Sequence, residues 1–169
     1  MTEAQDHLLD WLRDAHAMEE QAESMLLSMS LRLTHYPELK TKIDLHIDET
    51  RQQALLLATC IERQGGATSA VKDTTGKLMA SGQAFMNMFA SDEVIKAGLA
   101  SYAFEHLEIA AYSALIVAAE QAGDTDTQTI CERILQQEVA MAAWLSHNLS
   151  GTTRKFLKLS GDPELIAKR

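Results

Sequence analysis

Several things are scarce in this sequence, and each scarcity removes a class of protein. Proline occurs twice and glycine eight times in 169 residues, so there is little of the turn chemistry that a many-stranded β fold needs. The two cysteines, Cys60 and Cys131, form no CxxC pair, which leaves neither a zinc knuckle nor a redox motif and suits a reducing compartment. Basic residues are outnumbered, 15 against 24 acids, and a net charge of -9 repels phosphate backbones and anionic lipid. This argues against nucleic-acid and membrane partners. The most apolar stretch, Ile109 to Ala119, is about half of the roughly 20 residues that a membrane helix needs. The start, Met1-Thr2-Glu3-Ala4, lacks the basic and apolar regions of a signal peptide. The expectation is a soluble, cytoplasmic chain, in which the Asn148-Leu149-Ser150 sequon is accidental. No Ser-His-Asp or Cys-His nucleophile arrangement stands out, and Gly65-Gly66 is too little for a phosphate loop.

What remains is an all-α pattern. Apolar residues recur at three- and four-residue steps nearly everywhere, and a chain of this length makes one domain. The pattern predicts a first helix over about 2–34, stopped at His35-Tyr36-Pro37, and a second from Pro37 to Gly65-Gly66. A shorter connecting helix is expected over 67–90, its Met79, Met86 and Met88 filling core space rather than binding copper. Ser91-Asp92-Glu93 reads as the start of a third long helix ending at Gly123. Asp124 or Thr125 then caps a fourth helix running to about Ser150. Residues 151–169 form a C-terminal extension with a short helix around Phe156. The result is a four-helix bundle of two hairpins, 2–65 and 92–150, with a helix crossing between them.

Each long helix carries acid in its apolar seam. The first reads Leu8, Leu12, Ala15, Glu19, Ala22, Leu26, Met29, Leu33. The third reads Val94, Gly98, Ser101, Glu105, Glu108, Tyr112, Leu115, Ala119, and the fourth Cys131, Leu135, Glu138, Ala142, Leu145, Leu149. On the second, Leu45, His46, Glu49, Gln53, Leu56 and Cys60 share a face. Glu19 and Glu49 are equidistant from residue 34, and Glu108 and Glu138 from residue 123, the two predicted turns. In each antiparallel hairpin the glutamates therefore stand at one height, and packing the hairpins brings Glu19, Glu49, Glu105, Glu108 and Glu138 into one slice of core.

Carboxylates crowded into a low-dielectric core do not all stay ionised alone, because desolvation and mutual repulsion both favour the neutral acid. Either most are protonated or a cation is present, and two divalent ions would cancel four charges. Oxygen ligands with one imidazole suit iron or manganese. Around the five, His46 is either a ligand or a satisfied core histidine. His106 points off the stripe and either supports a ligand from outside or is an ordinary residue, Gln53 is a further candidate to ligate or support the site, and His16 is an outer or exposed residue. Tyr112 either hydrogen-bonds a ligand carboxylate, carries a radical, or simply packs.

Three segments, Asp14 to Gln21, His46 to Thr50 with Gln53, and Glu105 to Tyr112, resemble the bacterial YciE/YciF family over nearly the whole chain, nearest its YciE branch. That family is ferritin-like, related in architecture to rubrerythrin, and associated with stress responses. The resemblance implies a homodimer and a di-iron or di-manganese site at Glu19, Glu49, Glu105, Glu108 and Glu138. The chain departs from the usual di-iron pattern in having no ExxH pair on either of two helices. Met141 and Ala142 follow Glu138 where family members often have an acid, and Gln137 stands where many have a second glutamate. Three readings remain open here. One is a di-metal protein reducing peroxide or oxygen, or oxidising ferrous iron, with an external electron donor, since no four-cysteine module is present. The second is a non-enzymatic dimer with a vacant site acting through a protein partner, and the third a mineral cage.

Overall fold

A computed structural model of the chain describes residues 2–67 and 94–161. Four helices make up nearly all of it: α1 (Glu3–Ser30), α2 (Pro37–Arg63), α3 (Val94–Ala122) and α4 (Thr125–Ser160). The connecting helix expected over 67–90, the Ser91-Asp92-Glu93 cap and the end of the tail lie outside the described residues. No described helix is long and apolar enough to cross a membrane.

Local chemistry sets the ends. Thr2 and Gln5 form a capping box at the start of α1, each side chain bonding the other's backbone N–H. Pro37 occupies the first turn of α2, where its missing N–H costs nothing. Both α2 and α3 end in a glycine with positive φ, Gly65 at 74° and Gly123 at 73°. In each case the glycine N–H and the one after it fold back onto the last turn: Gly65 to Glu62 and Gly66 to Ile61, Gly123 to Glu120 and Asp124 to Ala119. Asp124 then caps α4, accepting hydrogen bonds from the Thr127 N–H at 3.0 Å and the Thr127 hydroxyl at 2.6 Å. The Gln64 amide also donates to it at 2.7 Å, which ties the end of α2 to the start of α4.

Two boundaries differ from the sequence reading. Helix α1 stops at Ser30 rather than Thr34, and the chain tightens through bonds from Arg32 to Met29 and Leu33 to Ser30. This turns Leu33 and Tyr36 into the end of the core, where both are buried. Helix α4 does not end near Ser150 but runs unbroken to Ser160. Glycine in a helix interior costs about 1 kcal/mol, yet Gly151 is carried through because Phe156 and Leu159 pack on the cluster that holds Tyr36 and Leu39. Lys155 adds a cation over the Tyr36 ring, 5.3 Å from its centre.

Helix α1 packs on α2 and α3, and α4 packs on α3 and α2, giving a square bundle. Contacts at two heights show that α1 and α3 are antiparallel: Ser101 meets Met29, and Tyr112 meets Glu19. The same holds for α2 and α4, where Gln53 meets Glu138 and Arg63 meets Asp126. Helices α2 and α3 therefore point the same way, so Arg63 and Val94 lie at opposite ends of the bundle. The core is in two parts. One apolar cluster gathers Leu8, Leu12, Leu57, Leu115 and Ile134; the other gathers Leu26, Leu33, Ile43, Met141 and Leu145.

Gly123 has no neighbour within 4 Å of where a Cβ would stand, so only its backbone conformation is at stake. Replacing it with alanine forces an L-residue into the left-handed region at a cost of about 1–2 kcal/mol. Thermal or urea unfolding of Gly123→Ala should show that loss, and Gly123→Asn should recover part of it, because asparagine tolerates this conformation better.

Candidate metal centre

Between the two apolar clusters the seams turn polar. Glu19 on α1, Glu105 and Glu108 one turn apart on α3, and Glu138 on α4 are each 1% exposed. All eight seam positions of α1 expected from the sequence are buried, and Glu19 is the only charged one among them. Helix α3 follows its predicted stripe except at Gly98, and α4 buries Cys131, Ile134, Glu138, Met141, Ala142 and Leu145.

Helix α2 is rotated relative to the sequence reading. Its buried face is Ile43, His46, Ile47, Thr50, Gln53, Leu57, Cys60 and Ile61, whereas Leu45 is 58% exposed and Leu56 is only partly covered. Burying the four large aliphatics Ile43, Ile47, Leu57 and Ile61 turns Glu49 to the edge, its side chain 36% exposed. The group that α2 puts at the centre is His46, 1% exposed. His46, Gln53 and Cys60 are spaced one heptad apart on an apolar face, a signal in the sequence that favoured His46 over Glu49 as the inward residue.

His46 links rim to centre. Its Nδ1 is 2.8 Å from the Glu49 carboxylate, and its Nε2 is 3.3 Å from Glu105 and 3.4 Å from Glu138. One ligand atom each from His46, Glu105 and Glu138 lie within 4.8 Å of one another, close enough to hold a single ion. The buried Tyr112 hydroxyl donates to Glu19 Oε1, and the Gln53 amide donates to Glu138 Oε1 and, at 3.2 Å, to Gln137. His106 lies outside the cluster, exposed, with its ring edge-on to Tyr102 at 4.7 Å. His16 is also apart, its Nδ1 3.9 Å from Glu20.

The electrostatics are those of acids without enough cation. Burial, then the Glu138 charge, pushes Glu19 up to about 8, against the hydrogen bond from Tyr112. Burial also lifts Glu105 to about 7, with His46 pulling the other way. Glu108 is held well above the carboxylate range by burial and by Glu19, Glu138 and Glu105. These mutual effects follow from the four carboxyls sharing one region. For His46, burial opposes the charge, but hydrogen bonds and attraction from Glu105 and Glu138 outweigh it and raise the imidazole to about 11. Tyr112 is pushed up by burial and by the neighbouring Glu19.

Among the described residues, the buried Oε2 of Glu19 has no hydrogen-bond partner, and Oε2 of Glu105 and of Glu138 face only His46 Nε2, at 3.3 and 3.4 Å and outside good hydrogen-bond geometry. Buried oxygens of this kind are normally satisfied, and a bound ion is one of the standing explanations for an exception. Hard oxygen donors from three helices with one imidazole from the fourth fit iron or manganese.

The sequence pattern described as "Domain of unknown function (DUF892)" matches residues 3–158. Among solved structures, a protein of Xanthomonas campestris is 40% identical, with 95% of this chain and 100% of that chain covered and a TM-score of 0.81. The Escherichia coli stress protein YciF is 20% identical over 92% of this chain and 99% of that chain, with a TM-score of 0.70. A Desulfovibrio desulfuricans bacterioferritin, described by its diiron site, is 19% identical over 91% and 86%, with a TM-score of 0.71. The last two likenesses are of fold, and they make this bundle ferritin-like.

The raised carboxyls fix a pH dependence. Between about 4.5 and 8 the folded chain keeps protons on Glu19 and Glu105 that the unfolded chain has released, so stability falls as pH rises through that window. His46 acts in the same sense: its contribution is complete below about 6.5 and fades as pH climbs towards 11. Chelator-treated protein should therefore melt at progressively lower temperature from pH 5 to pH 9, read by circular dichroism. A melting temperature that rises across that range would contradict these assignments.

Proposed function

The chain belongs to the DUF892 family, in keeping with its YciE/YciF resemblance, and on that premise we propose that it is a cytoplasmic di-metal carboxylate protein of the bacterial stress response. Its activity is to reduce peroxide or oxygen, or to oxidise ferrous iron. The observation that carries this reading is the set of buried carboxylate oxygens on Glu19, Glu105 and Glu138 that share a single imidazole, His46, and make no other hydrogen bond among the described residues. The stress-protein description of YciF and the diiron site of the bacterioferritin lend it support from relatives of the same fold.

In this reading Glu19, Glu105, Glu108, Glu138 and His46 hold the ions, with Glu49 at the rim. Bound there, two iron or manganese ions supply compensating positive charge and a reversible store of electrons. The chain's own groups prepare the site. Tyr112 fixes Glu19 by one oxygen and leaves the other without a hydrogen bond, and Gln53 fixes Glu138 by one oxygen and leaves the other facing His46. Glu49 accepts a hydrogen bond from the Nδ1–H of His46, which keeps that proton in place and leaves Nε2 as the nitrogen that would face an ion once it has given up its own proton. The apolar clusters on either side keep water from these groups. Electrons come from an external donor protein, because the sequence has only two cysteines and both are buried.

One observation favours a second reading. A protonated His46 standing 3.3 and 3.4 Å from Glu105 and Glu138 is itself a cation for two of the acids. With one carboxylate on α4, where Met141 and Ala142 are buried beside it, the site then needs no metal, and the protein acts as a non-enzymatic scaffold for a partner.

Elemental analysis separates the two. Protein purified without chelator, or reloaded anaerobically with ferrous iron, should hold a pair of ions per chain and lose them in the Glu19→Ala, Glu108→Ala double variant. No specific uptake under either condition would leave the scaffold reading. The weaker change Tyr112→Phe should keep the fold and lower manganese affinity by about 10- to 100-fold, the usual effect of removing a group that orients a ligand. Unchanged affinity would remove Tyr112 from the site's support.

A further inference from the structure

Of the four neighbouring pairs of described helices, α2 and α4 pack least closely, and the polar groups of the slice come out between them. Glu19 bonds only Tyr112, which is itself buried, and Glu108 is 1% exposed. Two chains of polar contacts run outward among the described residues. One passes from Glu105 and Glu138 through His46 to Glu49, whose side chain is 36% exposed. The other passes from Glu138 through Gln53 to the half-buried Gln137. Glu49 and Gln53 are one turn apart on α2, and Gln53 faces α4, so both chains surface in one seam. The backbone leaves α2 on the other side, where Gly66 lies against Leu9 of α1.

We infer that this seam is the entry for divalent ions to the buried site, with Gln137 and Gln53 handing an ion from the surface to Glu138; the inference rests on the metal reading above. Gln53 carries the argument. Its side chain is 1% exposed, its amide nitrogen bonds Glu138 and Gln137, and its Oε1 has no hydrogen-bond partner among the described residues. Charge sets this orientation, because a carboxylate accepts from the NH2 end of an amide and repels the oxygen end. The leftover oxygen is a neutral, hard donor standing between Gln137 and the slice. A path for ions needs donors strong enough to replace part of an ion's water and too weak to keep it. Neutral amide oxygens meet both conditions, and the buried carboxylates beyond them are where the ion stays. Glu49 stands at the mouth, the one partly exposed acid joined to the slice, and draws cations towards it. The two apolar clusters close the way in from the ends of the bundle.

Cobalt(II) is the probe, because its visible absorption changes on binding and can be followed by stopped flow in the chelator-stripped full chain. Gln137→Leu should slow cobalt uptake by about 10- to 100-fold, the loss of one hydrogen bond to a charged partner at the barrier. Release to excess EDTA should slow by the same factor, so that the ions held per chain and their affinity stay unchanged. A group on the path alters both rates alike, whereas a ligand or its support alters their ratio. Gln137→Glu, which adds charge at the mouth, should speed uptake at low salt, and it decides the matter if the leucine variant fails to fold. Glu20→Gln, which removes an exposed acid beside Glu19 on α1, should leave the rate as it is. Uptake at one rate in the wild-type chain and both Gln137 variants overturns the route and leaves the metal site standing. So does a leucine variant that binds more weakly at an unchanged uptake rate. If the wild-type chain takes up no cobalt, the metal reading falls and the route falls with it.

Discussion

Four carboxyl groups and one imidazole occupy a slice of core that water does not reach, and the arrangement of the helices follows from keeping them together. A lone buried glutamate would cost several kcal/mol and would be expelled or neutralised. Here each helix brings one part of a set: Glu19 from α1, His46 from α2, Glu105 and Glu108 from α3, Glu138 from α4. The set works only if all four helices keep their register. The turns serve that end. The Gly65 and Gly123 closures fix where α2 and α3 stop, and Asp124 couples the end of one hairpin to the start of a helix in the other. The two apolar clusters hold the slice between them and keep its dielectric low, which sharpens both the repulsion among the acids and the pull of any cation placed among them.

Much of this was legible from residue spacing. The α1 seam is buried at every predicted position because its apolar residues keep a strict four-three rhythm with Glu19 as the one exception. The nearness of Glu108 and Glu138 follows from the turn that Gly123 announces. The DUF892 match and the ferritin-like neighbours agree with the bundle and with the YciE/YciF resemblance. What spacing did not give was the rotation of α2. Its apolar residues support two adjacent faces, and the choice between them rests on how much aliphatic surface each buries against α1 and α4. The winning face centres His46 and leaves Glu49 at the rim. The length of α4 was hidden for a similar reason. Gly151 looks like a stop, but Phe156 and Leu159 find a surface to pack on that only the folded hairpins create.

The same inventory of groups explains why two functional readings compete. His46 is the one buried cation among the described members of the slice, and whether it stays protonated decides how much negative charge is left for a metal. A divalent ion bound to Glu105 and Glu138 would displace the imidazolium proton and turn His46 from counter-ion into ligand. The two states differ by protons released, so binding and pH are linked through these side chains.

That linkage is also the most direct way to test the central claim that the slice is a cation site. Manganese titrated into chelator-stripped protein near neutral pH, in two buffers of different ionisation enthalpy, measures binding and proton release together. The account predicts saturable binding with net release of protons, both abolished by Glu108→Ala. Saturable binding without proton release, or no binding that depends on Glu108, would contradict it.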